Sequence, residues 1–271
     1  MIPKGNQSAD GPRITIVTVS YNAKDVIEKT LISVVGQTYP GLDYVVIDGG
    51  STDGTQAIVE KYTSRIAFFV SEPDGGIFQG MNKGIEHAQG NYLLFMNAGD
   101  VFADELVLED VAAFIREHPE ADVVYGDTLH VREYGSYPVR GDAERLTRAM
   151  SVSHQATFVR TDLLRAHPFE TQYRYAADYE QISSFYLEGR RFLHLDRTVA
   201  VIEMQDGTTY RHYLESVNEL YDIIEARGED ISRERKSQIR RKKIIRTIRN
   251  LIPKKLRNPF FRWLAKHYKV L

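Results

Sequence analysis

The feature that most constrains this chain is a series of short, β-branched apolar runs separated by stretches of helical spacing. Ile14 to Val19 (ITIVTV), Leu42 to Ile47 and Tyr92 to Met96 suit strands covered on both faces. Ile66 to Val70 and Asp122 to Tyr125 add two more predicted strands. Between them, Ala23 to Val35 carries Val26, Ile27, Thr30, Leu31 and Val34 on one helical side, and Ala57 to Tyr62, Ile77 to Ala88 and Leu106 to Glu117 read as further helices. This alternation predicts an α/β fold of βαβ units, with a mainly parallel sheet and right-handed crossovers that put helices on both faces. Ligands of such sheets bind beyond the carboxyl ends of the strands. The segments to search are therefore Ser20-Tyr21-Asn22, Asp48 to Asp53, Glu72 to Gly76 and Asn97 to Asp100. After Tyr125 the pattern loosens into a second half built onto the first, and Arg211 to Arg227 reads as another helix.

Each strand end offers a definite chemistry beside an ordinary structural role. In DGGSTDGT (Asp48 to Thr55) the glycines permit a tight turn and close backbone approach to a ligand. Its two carboxylates can accept hydrogen bonds from a nucleobase or ribose. Ser51, Thr52 and Asp53 are equally good helix caps, so a capped turn and a binding turn stand as even alternatives. Asp100 suits a hard divalent cation shared with a diphosphate, although a lone turn aspartate is commoner. Lys83, in GGIFQGMNKG, offers a cation to phosphate, against the usual solvated lysine. Asp178 and Glu180 stand at a helical start, where acids favour the helix dipole in any case. His154 precedes an apolar strand and, taken alone, reads as a structural histidine.

In their order, VTVSYN, DGGSTDGT, EPDGGIFQGMNKGI, GNYLLFMNAGD, HQATF and AADYE resemble the family-2 glycosyltransferases, over about Ile14 to Thr209. Within that family the chain is similar to bacterial enzymes of exopolysaccharide, capsule and colanic-acid assembly. The resemblance implies a GT-A fold and an inverting transfer from a nucleotide-sugar donor, with uridine diphosphate the commonest carrier. It implies a nucleotide site drawn from Ser20, Tyr21, Asn22, Asp48, Gly50, Asp53, Asn82, Lys83 and Asn97, with Asp48 facing the base and Asp53 supporting the turn or nucleoside. Asp100 would hold Mg²⁺ or Mn²⁺, and Asp178 would be the general base. The acceptor implied is a polyprenyl-diphosphate-linked saccharide. Three places depart from the family pattern. The metal-binding Asp-x-Asp is Asn97-Ala98-Gly99, with Asp100 just beyond; Gln79 and Gly80 stand where relatives usually carry Asp and Ala; and Ala177 replaces the first of an acidic pair. The departures motivate an alternative, a catalytically degenerate nucleotide-sugar-binding protein. A sugar nucleotidyltransferase is a second alternative, but Ser20 to Lys24 do not supply its Gly-rich phosphate loop.

The formal net charge of −2 conceals an asymmetry: residues 231–271 hold 15 Lys and Arg against the single acid Glu234. In IRRKKIIRTIRNLI, Ile244, Ile245, Ile248, Leu251 and Ile252 share one helical face with the cations largely opposite, and Phe260, Phe261, Trp263 and Tyr268 follow. Such a segment suits an anionic membrane surface, so residues 239–269 are expected to make the protein peripheral on the inner face of the cell membrane. No reader fold for nucleic acid accompanies the charge. No apolar run is long enough to span a bilayer, and the absence of cysteine excludes disulfides and thiolate metal sites. The expected organisation is a polar lead-in over 1–12, a catalytic domain over 13–210 (nucleotide-sugar half 13–127, acceptor half 128–210), and a basic helical extension over 211–271.

Overall fold

In the computed structural model, the described residues are 11–132, 135–203, 212–233, 235–237, 240, 244, 247, 251 and 252. A single nine-stranded sheet organises them, in the order β3-β2-β1-β4-β8-β6-β9-β5, with β7 paired to β6. The strands are β1 (Ile14–Ser20), β2 (Leu42–Asp48), β3 (Phe68–Ser71), β4 (Tyr92–Phe95), β5 (Val101–Phe102), β6 (Val123–Arg132), β7 (Gly135–Val139), β8 (Thr157–Arg160) and β9 (Phe192–Glu203). Strands β3, β2, β1 and β4 run parallel, as the βαβ pattern predicts. Beyond β4 the sheet turns mixed: β8 is antiparallel to both β4 and β6, β9 is parallel to β6, and β5 is antiparallel to β9.

The helices are α1 (Ile27–Val35), α2 (Thr55–Val59), α3 (Ile77–His87), α4 (Val107–Glu117), α5 (Thr161–Ala166), α6 (Ala177–Leu187) and α7 (Tyr213–Ala226). Alternation along the buried strands divides the core. Ile14 and Ile16 of β1, with Tyr44 and Val46 of β2, pack on α1 and α4; Val17, Val19, Val45 and Ile47 pack on α3, α5 and α6. Helices thus cover both faces, which is why these strands lack a polar side. Helix α1 begins at Ile27 rather than at the predicted Ala23. Asn22 has φ +46°, the Lys24 N–H is taken by the Asp53 carboxylate at 3.0 Å, and the chain makes a turn before the helix starts.

Helix α7 docks on the entrance of α6. Tyr221, Ile223 and Ile224 form a buried cluster with Ala176, Tyr179 and Ile231. Glu219 accepts the backbone N–H groups of Arg174, Tyr175 and Ala176 at 2.8, 2.6 and 2.7 Å, and Arg227 donates to the Ser183 and Ser184 hydroxyls. The 211–271 extension therefore starts with a helix that belongs to the body. Residues 1–10 of the lead-in over 1–12, and most of the basic segment 239–269, lie outside the described residues.

Candidate active site

The carboxyl ends of β1, β2 and β3 are locked together by one carboxylate. Ser20, Asp48 and Ser71 are register neighbours across the three parallel strands. Asp48 is fully buried and accepts from the Ser20 hydroxyl (2.9 Å), the Ser71 hydroxyl (2.6 Å), and both the N–H (2.8 Å) and hydroxyl (2.6 Å) of Ser51. Burial alone would raise its pKa, but these hydrogen bonds outweigh burial and hold it below the ordinary aspartate value. Both Asp48 oxygens thus accept from within the protein, which orders the turn.

Around this lock, the other residues of the first three strand ends take distinct places. Tyr21 projects an exposed ring, and Asn22 ties the first loop to the second, its N–H donating to Ser51 Oγ and its Oδ1 accepting from Thr52. Asp53 accepts from Lys24, from the Thr55 N–H and from the Thr55 hydroxyl, so it supports the turn. Gly50 has φ +79°, and a Cβ there would meet the Pro73 backbone nitrogen at 3.0 Å. Asn82 and Lys83 have partners within the protein. Asn82 clamps the Phe169 backbone, donating to its oxygen at 2.9 Å and accepting from its N–H at 2.8 Å, and Lys83 is paired with Glu72 at 2.5 Å.

A second constellation forms beyond β4. Asn97 Nδ2 lies 3.0 Å from His154 Nε2, and His154 Nδ1 lies 3.0 Å from Asp178 Oδ2. The imidazole tautomer with its proton on Nδ1 satisfies both contacts, donating to Asp178 and accepting from Asn97. The next residue, Gln155, donates to Asp100 Oδ2 at 2.8 Å. Consecutive residues of the HQATF segment thus tie Asp100, in the segment after β4, to Asp178, at the start of α6. Removal from water raises the Asp100 pKa, against the Gln155 hydrogen bond and the neighbouring His154. Behind His154 and Asp178 is a small apolar cavity lined by Leu93, Phe95, Met150, Val152, Val159 and Ile182.

The comparisons with known proteins decide the family. Residues 15–169, more than half of the chain, match the family described as Glycosyl transferase family 2. The chain belongs to glycosyl transferase family 2. It is 32% identical over 173 residues to a PGL/p-HBAD biosynthesis glycosyltransferase of Mycobacterium bovis, covering 62% of this chain and 68% of that one. It is 38% identical over 125 residues to TuaG of Bacillus subtilis, a putative teichuronic acid biosynthesis glycosyltransferase, covering 45% of this chain and 49% of that one. Among solved structures, S. aureus TarS 1–349 in complex with UDP superposes with a TM-score of 0.60 at 24% identity, over 78% of this chain and 65% of that one. A mannosyltransferase of Pyrobaculum calidifontis in complex with GDP-Man and Mn²⁺ gives 0.60 at 19%, over 78% and 62%. These likenesses show the GT-A-type fold.

The residues present fit a divalent cation only with help from a ligand. Among the described residues no three His, Cys, Asp or Glu side chains group to hold one. However, Asn97 Oδ1 is buried without a hydrogen-bond partner, and Gln155 engages one oxygen of Asp100. Two hard oxygens of that kind, completed by diphosphate oxygens, suit Mg²⁺ or Mn²⁺. Sequence reasoning set His154 aside because a lone histidine carries no pattern, and it missed Glu219 because its partners lie more than forty residues away. Only the adjacency of His154 to Gln155 and the AADYE spacing hinted at either.

Proposed function

We propose that this family-2 glycosyltransferase moves a sugar from a uridine-diphosphate donor to a hydroxyl of a lipid-linked saccharide, with inversion at the anomeric carbon. The observation that carries this reading is the Asn97–His154–Asp178 chain held beside the Gln155–Asp100 contact. It brings one carboxylate suited to the leaving group and one suited to the nucleophile within two consecutive residues of each other. In the proposed step, Asp178 takes the proton of the acceptor hydroxyl as its oxygen bonds to the anomeric carbon and the bond to the diphosphate breaks. Oδ1 of Asp178 is held by the Tyr179 N–H at 2.8 Å and Oδ2 by His154, so the carboxylate enters the reaction already oriented. A divalent cation bound at Asn97 and Asp100 would supply Lewis-acid stabilisation of the departing diphosphate. A single base facing the acceptor suits one displacement, unlike the paired carboxyls of a glycosidase.

The membrane side of the reading rests on the basic tail, and on Ile244 and Leu251, which are exposed at i, i+7 of one face. Among the described residues no helix is long and apolar enough to cross a membrane. The acceptor would then be a polyprenyl-diphosphate-linked saccharide presented at the inner membrane face.

The test pairs Asp178→Asn with a panel of UDP-, GDP- and dTDP-sugars, with and without Mn²⁺. Transfer by the variant should fall by about a thousandfold, with donor affinity unchanged. Normal turnover by Asp178→Asn would remove the base assignment. Donor binding by the parent protein with no transfer under any metal condition would leave the degenerate-site alternative in its place.

A further inference from the structure

We infer that Asp74 is the nucleobase-reading residue of this chain, and that glycine at 49 leaves the room its carboxylate occupies. The inference rests on the donor-site reading above and deepens it. A carboxylate at the second strand end reads a base only if an oxygen is free, and Asp48 has none to offer. Asp74 does. Its Oδ1 accepts from the Gly76 N–H at 2.9 Å, which fixes the side chain, while no donor among the described residues engages Oδ2. The residue is half-buried rather than waving in solvent.

Its position is built by two backbones lacking side chains. A Cβ on Gly49, in the turn after β2, would stand 3.0 Å from Asp74 Oδ2 and 3.2 Å from its carboxyl carbon. A Cβ on Gly80, in the first turns of α3, would stand 2.8 Å from Val19 Cγ1 and 3.1 Å from the same Oδ2, so that glycine serves the packing of α3 on β1 as well. Gly49 has an ordinary backbone conformation, with no positive φ to demand glycine. What demands it is the neighbouring carboxylate. The Gly49 N–H donates to the Ser20 oxygen at 2.9 Å, so the turn carrying this hollow is bonded to the strand end that leads into the 67% exposed Tyr21. A fixed carboxylate oxygen with no protein donor recognises an N–H on the edge of a ring.

The chemistry of the acceptor selects the base. A carboxylate only accepts, so it favours the imide N–H of uracil or thymine, or the N1–H and amino group of guanine. It disfavours cytosine, whose ring nitrogen would face it lone pair to lone pair. The lone Oδ2 matches the single imide N–H of uracil or thymine rather than the two donors of guanine, so the assignment is a uracil- or thymine-type nucleotide read by Asp74.

The test is calorimetry of UDP, GDP and CDP binding to the intact protein and to three variants. Asp74→Asn should weaken UDP by at least about tenfold, the cost of losing a charge-assisted hydrogen bond, and narrow the gap to CDP. Gly49→Ala should weaken UDP in the same way, because its methyl displaces the carboxylate. Gly49→Asp combined with Asp74→Gly moves the carboxylate across the hollow and should restore UDP binding towards the parent affinity. Parent binding of UDP that Asp74→Asn leaves unchanged overturns the inference while leaving the donor-site reading standing, and parent preference for GDP overturns the base assignment. A parent that binds no nucleoside diphosphate overturns the donor-site reading itself. Circular dichroism on each variant separates lost binding from lost fold.

Discussion

Asp48 illustrates how one residue can carry stability at a functional edge without touching a ligand. A fully buried carboxylate is tolerable because four protein donors surround it, and those donors come from three different strand ends. Asn keeps one accepting oxygen and sets an N–H₂ group against the two donors that faced the other, so Asp48→Asn should cost about 2–4 kcal/mol of unfolding free energy, measured by urea titration at neutral pH. The pH dependence follows from the lowered pKa. A carboxyl whose folded pKa lies below its unfolded value contributes stability that is full above about pH 4 and is lost as pH falls through the folded value. The parent should therefore lose stability steeply below about pH 4, and Asp48→Asn should show a flatter acid limb over that range. An unchanged acid limb in the variant would mean that other carboxylates set it. This role was not legible in the sequence. DGGSTDGT states that a carboxylate starts a turn, but whether that carboxylate looks outward or inward depends on Ser20 and Ser71, which only strand register brings beside it.

At the scale of elements, the surprise is the C-terminal helix. Helix α7 follows the segment expected to end the catalytic domain, yet Glu219 holds three consecutive N–H groups immediately before α6, the helix that starts with Ala177-Asp178. Glu219→Gln keeps the shape but offers one acceptor oxygen where two are in use, so the approach to Asp178 should loosen. The expected result is a fall in kcat of about tenfold or more with KM for the donor nearly unchanged, because the donor half is untouched. A matching rise in donor KM would instead connect α7 to the nucleotide side. The same scale shows where pattern reading succeeds. β1, β2 and β4 are apolar on both faces, and their covering helices carry 3.6-residue periodicity, so the parallel half was readable from local spacing. The antiparallel insertion of β8 between β4 and β6 was not, because Tyr92 pairs with Arg160 and Val123 with Val159, contacts that no local period encodes. His154 became meaningful only once that pairing set the segment before β8 between Asn97 and Asp178.

For the molecule as a whole, the division of charge poses the question of what the basic tail is for. Contacts with the body continue past residue 211, where the basic extension is expected to start. Ile231 is buried with Tyr221 and Ile224, and Arg235 pairs with Asp222 at 2.8 Å and Glu225 at 2.7 Å, so the body extends at least that far. Ile244 and Leu251, by contrast, are exposed. A chain ending at Ser237 should then keep the α6–α7 packing, and its melting temperature should stay within about 3 °C of the parent. It loses the cationic apolar face proposed to meet the membrane. With vesicles containing anionic lipid, the parent should sediment and the shortened chain should remain in the supernatant, and the difference should shrink as salt is raised. Transfer to a soluble acceptor should survive the truncation, whereas transfer to a vesicle-borne acceptor should fall by about tenfold or more, since co-localisation raises the effective concentration of enzyme and acceptor. Equal sedimentation of the two chains would assign membrane binding to the body. Loss of soluble-acceptor transfer in a chain that still melts normally would place the tail in the catalytic step itself, and the acceptor half would then have to be redrawn to include it.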